Sequence, residues 1–312
     1  MSDMKPGRPL RASEQAMKLA WTLHRVMRRW AMTLAGKNPL IRGAAAPAWS
    51  FEARAVEGLL RSRTQVPKKL RQDEDGQLWA TSLGELWIPP DANGEFVRIL
   101  AAEMDASVYD MSGVAHVAAP GPVVVDCGAN VGFFSRWALM HGAAKVICFE
   151  PSPGNLICLR RNLRPEIESG RVVVIEKGVW DQETVLSFSA KNLGNPGAHH
   201  VVEDNSGELQ VKVTTIDRVC DELGITRLDY IKMDVEGAEQ RALAGAAGAI
   251  RRSHPNLCVV TEHTEDLFTN AERVIEVILR IDPGYKYRVT EAHPYKSPSR
   301  GLVLTPYSTL FY

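Results

Sequence analysis

The chain has 312 residues, 45% of them hydrophobic and 24% charged, with a formal net charge of zero. This composition excludes a disordered, collagen-like or uniformly basic chain, and the length allows one large core or one core with an appendage. The five cysteines, Cys127, Cys148, Cys158, Cys220 and Cys258, are scattered and show no C-x-x-C spacing, which argues against a disulfide framework or a zinc site and for free thiols in a reducing compartment. No signal-peptide core and no bilayer-length apolar window stand in the sequence, so the expected location is the cytoplasm.

Charge is unevenly placed. Residues 1–72 carry 15 Lys and Arg against 4 Asp and Glu, a basic head on an acidic body. Residues 13–34 read as a helix, with Met17, Trp21, Leu23, Val26, Met27, Trp30 and Leu34 at helical spacing and Lys18, Arg25, Arg28 and Arg29 among them. Such a helix lies on an anionic membrane surface, or docks on the body or on a second subunit; docking is the preferred reading. A further helix is expected over 47–61. The run Lys68-Lys69-Leu70-Arg71 gives way to Asp73-Glu74-Asp75-Gly76, which marks a boundary between a basic helical extension, 1–72, and a body, 73–312. Residues 78–81 and 85–88 form a hairpin, and a helix follows over 96–109.

Residues 123–150, VVVDCGANVGFFSRWALMHGAAKVICFE, are the most informative stretch. A β-branched run ends at Asp126, Gly128 and Gly132 bracket a tight turn, a helix over 133–141 is stopped by Gly142, and a strand over 145–149 ends at Glu150. This is a βαβ unit of nucleotide-binding type. Gly128 takes dihedrals that a Cβ forbids and lets a ligand approach the backbone. Glu150, 18 residues after Gly132, is placed to accept hydrogen bonds from the ribose of an adenine nucleoside. The dinucleotide fingerprint needs a glycine at the centre of the turn, where Asn130 stands, so a pyrophosphate would be crowded. The amino-acid moiety of a sulfonium cofactor fits better, with Asp126 and backbone groups near its ammonium and carboxylate. The turn reads as an S-adenosylmethionine site in preference to a nicotinamide one.

Beyond Glu150, Ser152 and Pro153 open a helix reaching about residue 163. A third strand follows over 171–175. Residues 184–189 and 209–214 alternate as an antiparallel pair does, with a loop rich in Asn, Gly and His over 191–207. A fourth strand over 228–233 leads into an alanine-rich helix over 236–251. A fifth strand over 257–262, a helix over 271–281, and closing antiparallel strands over 285–290 and 301–305 complete the chain. This alternation implies a mostly parallel sheet covered on both faces.

Ligands of such sheets bind at the carboxyl ends of the strands, which selects Asp126, Glu150, residues 178–181, residues 234–239, Glu262 and His263. The segment Lys232-Met233-Asp234-Val235-Glu236-Gly237-Ala238-Glu239 puts three carboxylates and a lysine at one strand end, with Glu236 and Glu239 on one helix face. Methyl transfer is an in-line displacement at an activated carbon, so the protein mainly aligns the reactants. An alcohol acceptor also needs a base: Asp234, Glu236, His263, or His199 or His200 from the long loop. A divalent cation such as Mg²⁺ on Asp234, Glu236 and Glu262 is the alternative.

The runs DCGANVGFFS, VICFEPSPGNLICLRRNL, VKVTTIDRV and LDYIKMDVEGAEQRALAGA together resemble the FkbM family of S-adenosylmethionine-dependent methyltransferases, over residues 123–287. The specific motifs are D-x-G-A-N-x-G followed by F-E-P, and T-[IL]-D followed by I-K-x-D-V-E-G-A-E. The resemblance implies a Rossmann-like class I methyltransferase fold, a mostly parallel seven-stranded sheet with helices on both faces, and transfer to a hydroxyl of a carbohydrate or a polyketide-type metabolite. By position it places Asp126, Gly128, Asn130 and Gly132 at the methionine moiety, Glu150 at the ribose, and Asp234 and Glu236 near the methyl group and acceptor; Ala129, Pro151, Gly178 and Val179 are further expected cofactor contacts, and His263 a further candidate catalytic residue. Residues 1–110 have no counterpart in that pattern, so acceptor choice or assembly falls to them. Asn130 argues against a nicotinamide-dependent oxidoreductase, and the intact carboxylates argue against a non-catalytic membrane- or nucleic-acid-binding module. No N-P-P-Y motif for base methylation follows the fourth strand, and phosphate would meet an acidic surface there.

Overall fold

The computed structural model describes residues 66–105, 109, 111–114, 117, 120–189, 200–202, 209–261, 267–289, 292–297, 301–306 and 308–312. The helices expected over 13–34 and 47–61, and His199, Glu262 and His263, lie outside the described residues.

Three short strands come first: β1 (Lys68–Gln72), β2 (Gln77–Thr81) and β3 (Gly84–Ile88), antiparallel in that order. Asp73 makes the first turn, its Oδ1 accepting from the amides of Asp75 at 3.1 Å and Gly76 at 3.0 Å. The boundary expected at 72/73 therefore falls in a hairpin turn, and the basic run before it is an edge strand of the sheet that follows. Helix α1 (Gly94–Asp105) is capped by Asn93, whose Oδ1 accepts from the Phe96 amide at 2.8 Å. It stops short of the expected 109, which leaves Tyr109 beyond its end.

The nucleotide-binding unit folds nearly as its local signals dictate: β4 (Val123–Cys127), α2 (Phe133–Met140), β5 (Lys145–Phe149), α3 (Pro153–Asn162), a short α4 (Arg164–Glu168) and β6 (Val172–Ile175). A second sheet then holds β7 (Gly178–Val179), β8 (Thr184–Ser189), β9 (His200–Val202) and β10 (Leu209–Thr214) in the order β7-β10-β8-β9. The antiparallel β8/β10 pair is as expected; β9 stands inside the stretch expected to be loop.

Thr215 caps α5 (Ile216–Glu222), its hydroxyl accepting from the Arg218 amide at 3.0 Å. After β11 (Tyr230–Met233) the expected single helix over 236–251 is two, α6 (Glu239–Ala244) and α7 (Ala247–Ser253). Glu236 and Gly237 have φ of 53° and 97° and form a turn, so Glu236 is not helical and does not share a helix face with Glu239. The second break is tertiary. A Cβ on Gly245 would stand 2.0 Å from the Trp180 carbonyl oxygen, and the Asp217 carboxylate caps α7 by accepting from the amides of Gly248 and Ala249 at 2.8 and 2.7 Å. The chain ends with β12 (Asn256–Val260), α8 (Leu267–Ile281), β13 (Tyr287–Val289), the hairpin β14 (Ala292–Ser297) and β15 (Gly301–Pro306), and β16 (Ser308–Phe311). Residues 301–305 were expected to close the main sheet. That place belongs to β16, which lies antiparallel between β12 and β13.

The main sheet has seven strands in the order β13-β16-β12-β11-β4-β5-β6. Neighbours from β12 to β6 pair parallel. Successive residues of β5 and β11 point to opposite faces, yet both strands are buried almost throughout, so both faces are covered. The mostly parallel seven-stranded α/β fold is as expected. From β4 the chain winds outward through β5 and β6, then returns to place β11 on the other side of β4. The switch point of the sheet is therefore the β4/β11 seam.

At that seam the backbones touch. The Asp234 amide donates to the Cys127 carbonyl at 3.1 Å, and a Cβ on Gly128 (φ 75°) would stand 2.0 Å from the Asp234 carbonyl oxygen. Gly128→Ala is therefore expected to cost at least about 2 kcal/mol, combining a left-handed backbone with a backbone clash. Gly154→Ala, on α3 with open space around its position, should instead stabilise by up to about 1 kcal/mol. Urea denaturation of the two variants checks both the sign and the contrast.

Candidate active site

The strand ends are level. Asp126 on β4 pairs in register with Cys148 on β5 and Lys232 on β11, so Asp126, Glu150 and Asp234 end adjacent strands or stand just past them. The turn after β4 crosses the end of β5, where the amides of Gly128 and Ala129 both donate to the Phe149 carbonyl, at 3.0 and 2.9 Å. Asn130 takes φ 51°, a conformation that Asn tolerates better than most residues, and its side-chain oxygen accepts from the Val131 amide at 2.8 Å.

Lys232 is the centre of the cluster. Its ammonium is buried, donates to the carbonyls of Gly128 at 2.8 Å and Cys127 at 3.3 Å, and pairs with Asp126 at 3.3 Å and Asp234 at 3.8 Å. Burial works to strip its proton, but Asp126 and then Asp234 outweigh burial and push it up to about 12. The lysine therefore stays charged and ties the glycine turn to both carboxylates. The sequence reading noticed this lysine without giving it a role. Its signal was a cation inside the apolar run Ile231-Lys232-Met233, because a buried lysine requires partners.

Asp126 was expected beside the ammonium of a ligand. Its carboxylate is instead fully buried, accepting from the Ser135 hydroxyl at 2.6 Å and facing Lys232. It supports the turn from within. Asp234 keeps 26% of its side chain exposed, so it is the carboxylate of the pair that reaches the cleft. The Tyr109 hydroxyl lies 3.5 Å from Asp234 Oδ2 and 3.4 Å from Glu103 Oε2, with the Lys232 ammonium 5.6 Å from its ring centroid. Neither Tyr109 nor Glu103 was singled out from sequence, and a contact spanning 125 residues has no local signal.

Glu150 is buried and holds the turn from its other side. Its Oε2 accepts from the Asn130 amide at 2.8 Å, and its Oε1 accepts from the Ser152 amide at 2.8 Å and the Asn155 side chain at 3.3 Å. Burial raises its pKa, and these hydrogen bonds oppose the rise. An ionised carboxylate has about four acceptor positions, so the donor set present leaves Glu150 able to receive a ribose hydroxyl. Gly178 in β7 comes close to Pro151; a Cβ on it would stand 4.0 Å from Pro151 Cγ. Val179 is buried beside it. The structure thus gathers Gly128, Ala129, Asn130, Gly132, Glu150, Pro151 and Gly178 around the ends of β4, β5 and β7, with Asp234 across the seam. Glu236 stands in the left-handed turn beyond Asp234. Among the described residues no three metal-ligating side chains come together.

Residues 126–289 match the family described as the methyltransferase FkbM domain. The chain is 26% identical over 185 residues to the 2-O-methyltransferase NoeI of Sinorhizobium fredii, covering 54% of this chain and 73% of that protein. It is 31% identical over 159 residues to the 31-O-demethyl-FK506 methyltransferase FkbM of Streptomyces tacrolimicus, covering 42% of this chain and 61% of that protein. It is 25% identical over 172 residues to the hexuronic acid methyltransferase AglP of Haloferax volcanii, covering 54% and 64%. The glycine turn, the buried lysine and the carboxylates at the β4/β11 seam all fall inside the matched stretch, which is more than half of the chain, and the protein belongs to the FkbM methyltransferase family.

Proposed function

We propose that the protein transfers a methyl group from S-adenosylmethionine to a hydroxyl of a carbohydrate, or of a glycosylated or polyketide-type metabolite. The observation that carries this reading is the seam itself. A turn suited to an adenosyl amino acid and a partly exposed carboxylate are held together there by one buried ammonium. The relatives support the acceptor class, since their names specify O-methylation, a hexuronic acid and 31-O-demethyl-FK506.

When bound, the cofactor supplies a methyl group already activated on a sulfonium. Glu150 would hold a ribose hydroxyl, and the backbone of residues 128–132 would hold the amino-acid end. Asp234 would receive the proton of the acceptor hydroxyl as the C–O bond forms and the methyl–sulfur bond breaks, the sulfur leaving as a neutral thioether. Asp126 cannot do so, having no exposed surface. The test is incubation with methyl-labelled S-adenosylmethionine and panels of uronic-acid glycans, neutral glycans and hydroxylated macrolides, read by mass spectrometry. A chelator arm separates a side-chain base from a divalent cation on Asp234, Glu236 and Glu262. Label on nitrogen, on carbon or on nucleic acid would overturn the reading.

Asp234→Asn is expected to lower turnover at least about 100-fold, while cofactor affinity stays within about tenfold. Single-turnover kinetics beside calorimetric titration separates these quantities, and an equal loss in both would place Asp234 in the cofactor site instead.

Cofactor affinity is also expected to depend on pH through Glu150. Ribose hydroxyls donate to the ionised carboxylate, whose pKa burial raises. Affinity should therefore tighten as pH rises from the ordinary glutamate range through the raised pKa, then level off. The sign for stability is opposite. A raised native pKa means the folded state binds the proton more readily, so this group's contribution to stability falls as pH rises through the same window. Calorimetric titration across that range should lose its slope in Glu150→Gln.

A further inference from the structure

The three-stranded β1–β2–β3 sheet precedes the matched family stretch, and one buried side chain bonds both this sheet and the cofactor turn. Asn162, the last residue of α3, is buried. Its amide oxygen accepts from the Trp87 amide on β3 at 2.6 Å, and its amide nitrogen donates to the Trp87 carbonyl at 2.9 Å and to the Val131 carbonyl at 2.8 Å. A carboxamide has two N–H donors; here one goes to the sheet and one to the turn. The backbone carbonyl of Asn162 is taken by the Arg136 guanidinium from α2. The next residue adds a packing contact, because a Cβ on Gly132 would stand 3.0 Å from Leu163 Cδ1.

The peptide unit between Val131 and Gly132 is therefore tied at both ends. Its oxygen is held by Asn162, and its N–H donates to the Ala129 carbonyl at 2.8 Å. Because the unit is planar, these two bonds set its orientation. One residue earlier, the Asn130 amide donates to Glu150. The sheet is seated on the same helix end by Arg161, whose guanidinium lies 3.3 Å from the Trp87 ring centroid and bonds Asp73 at 2.7 and 3.1 Å.

We propose that Asn162 is a positioning residue for cofactor binding, coupling the β1–β2–β3 sheet to the turn at residues 128–132. The inference rests on the S-adenosylmethionine reading and deepens it: docking of this sheet and occupancy of the cofactor turn share one free energy. Coupling of this kind is reciprocal. If the docked sheet favours the cofactor, the bound cofactor steadies the sheet.

The experiment uses the full chain and S-adenosylhomocysteine as the probe. In the unmodified protein, saturation with the probe should slow amide hydrogen exchange over residues 84–88 as well as over the turn. Asn162→Ala should bind the probe roughly tenfold more weakly, inside the roughly 5–150-fold span usual for coupled sites. Tyr285→Phe is the stability control. It removes a buried hydrogen bond to the Pro255 carbonyl, 2.7 Å long, beside the β13 edge, and should lower the melting temperature without changing affinity. If Asn162→Ala does not fold, exchange in the unmodified protein decides alone. Unchanged exchange at Trp87, wild-type affinity in a folded Asn162→Ala, or an equal loss in Tyr285→Phe would each overturn the coupling while leaving the cofactor reading intact. Failure of the unmodified protein to bind the probe would overturn the cofactor reading and this inference with it.

Discussion

One buried ammonium organises this protein. Taking a lysine out of water costs several kcal/mol, and the cost is met only where charges and hydrogen-bond acceptors surround it. Lys232 has both: two carboxylates at 3.3 and 3.8 Å and two backbone carbonyls at 2.8 and 3.3 Å. These partners come from β4, from the turn after it and from the end of β11, so the charge is satisfied only when all three are in place. Without the ammonium, Asp126 would be a carboxylate with no exposed surface and one hydroxyl donor. The site's electrostatics and the closure of the β4/β11 seam are therefore the same requirement.

The seam also explains which residues at the turn are constrained. Gly128 is required by the neighbouring protein backbone: the Asp234 carbonyl oxygen occupies the space a Cβ would need. This differs from the usual argument for a glycine at such a turn, which is room for the ligand. The following residues are held differently: Asn130 takes φ 51° and passes its amide to Glu150. The turn is thus pressed between Asp234 on one side and Glu150 on the other. Its carbonyls point inward to Lys232 and Asn162.

Local signals made the central unit legible. The strand expected over 145–149 is β5 residue for residue, and the helix expected over 133–141 ends one residue early, at Met140. There the β-branched run, the two turn glycines and Gly142 (φ 94°) all act within a few residues of the structure they cause. The rest depended on contacts distant in sequence. Residues 236–251 are rich in alanine, and the break at Gly245, one of three glycines there, is imposed by the distant Trp180 carbonyl and Asp217 carboxylate. Strands β15 and β16 carry similar apolar patterns, so the sequence alone does not say which of them enters the main sheet. Asp126 stands at the strand end, but its burial against Ser135 and Lys232 was not legible, because alternation along a strand does not tell which carboxylate meets a lysine.

The family stretch begins at residue 126, yet the electrostatics around Asp234 are not complete within it. Tyr109 brings a phenol to Asp234, and Glu103 on α1 brings a second carboxylate, itself buried, to the same hydroxyl. One hydrogen between two carboxylates can fully serve only one at a time. The charge density at Asp234 is therefore set jointly by the FkbM core, through Lys232, and by the segment before it, through Tyr109. Trp87 stands in the same relation to the cofactor turn, which it reaches through Asn162. Residues 66–109 thus touch both halves of the reaction centre through the backs of its residues.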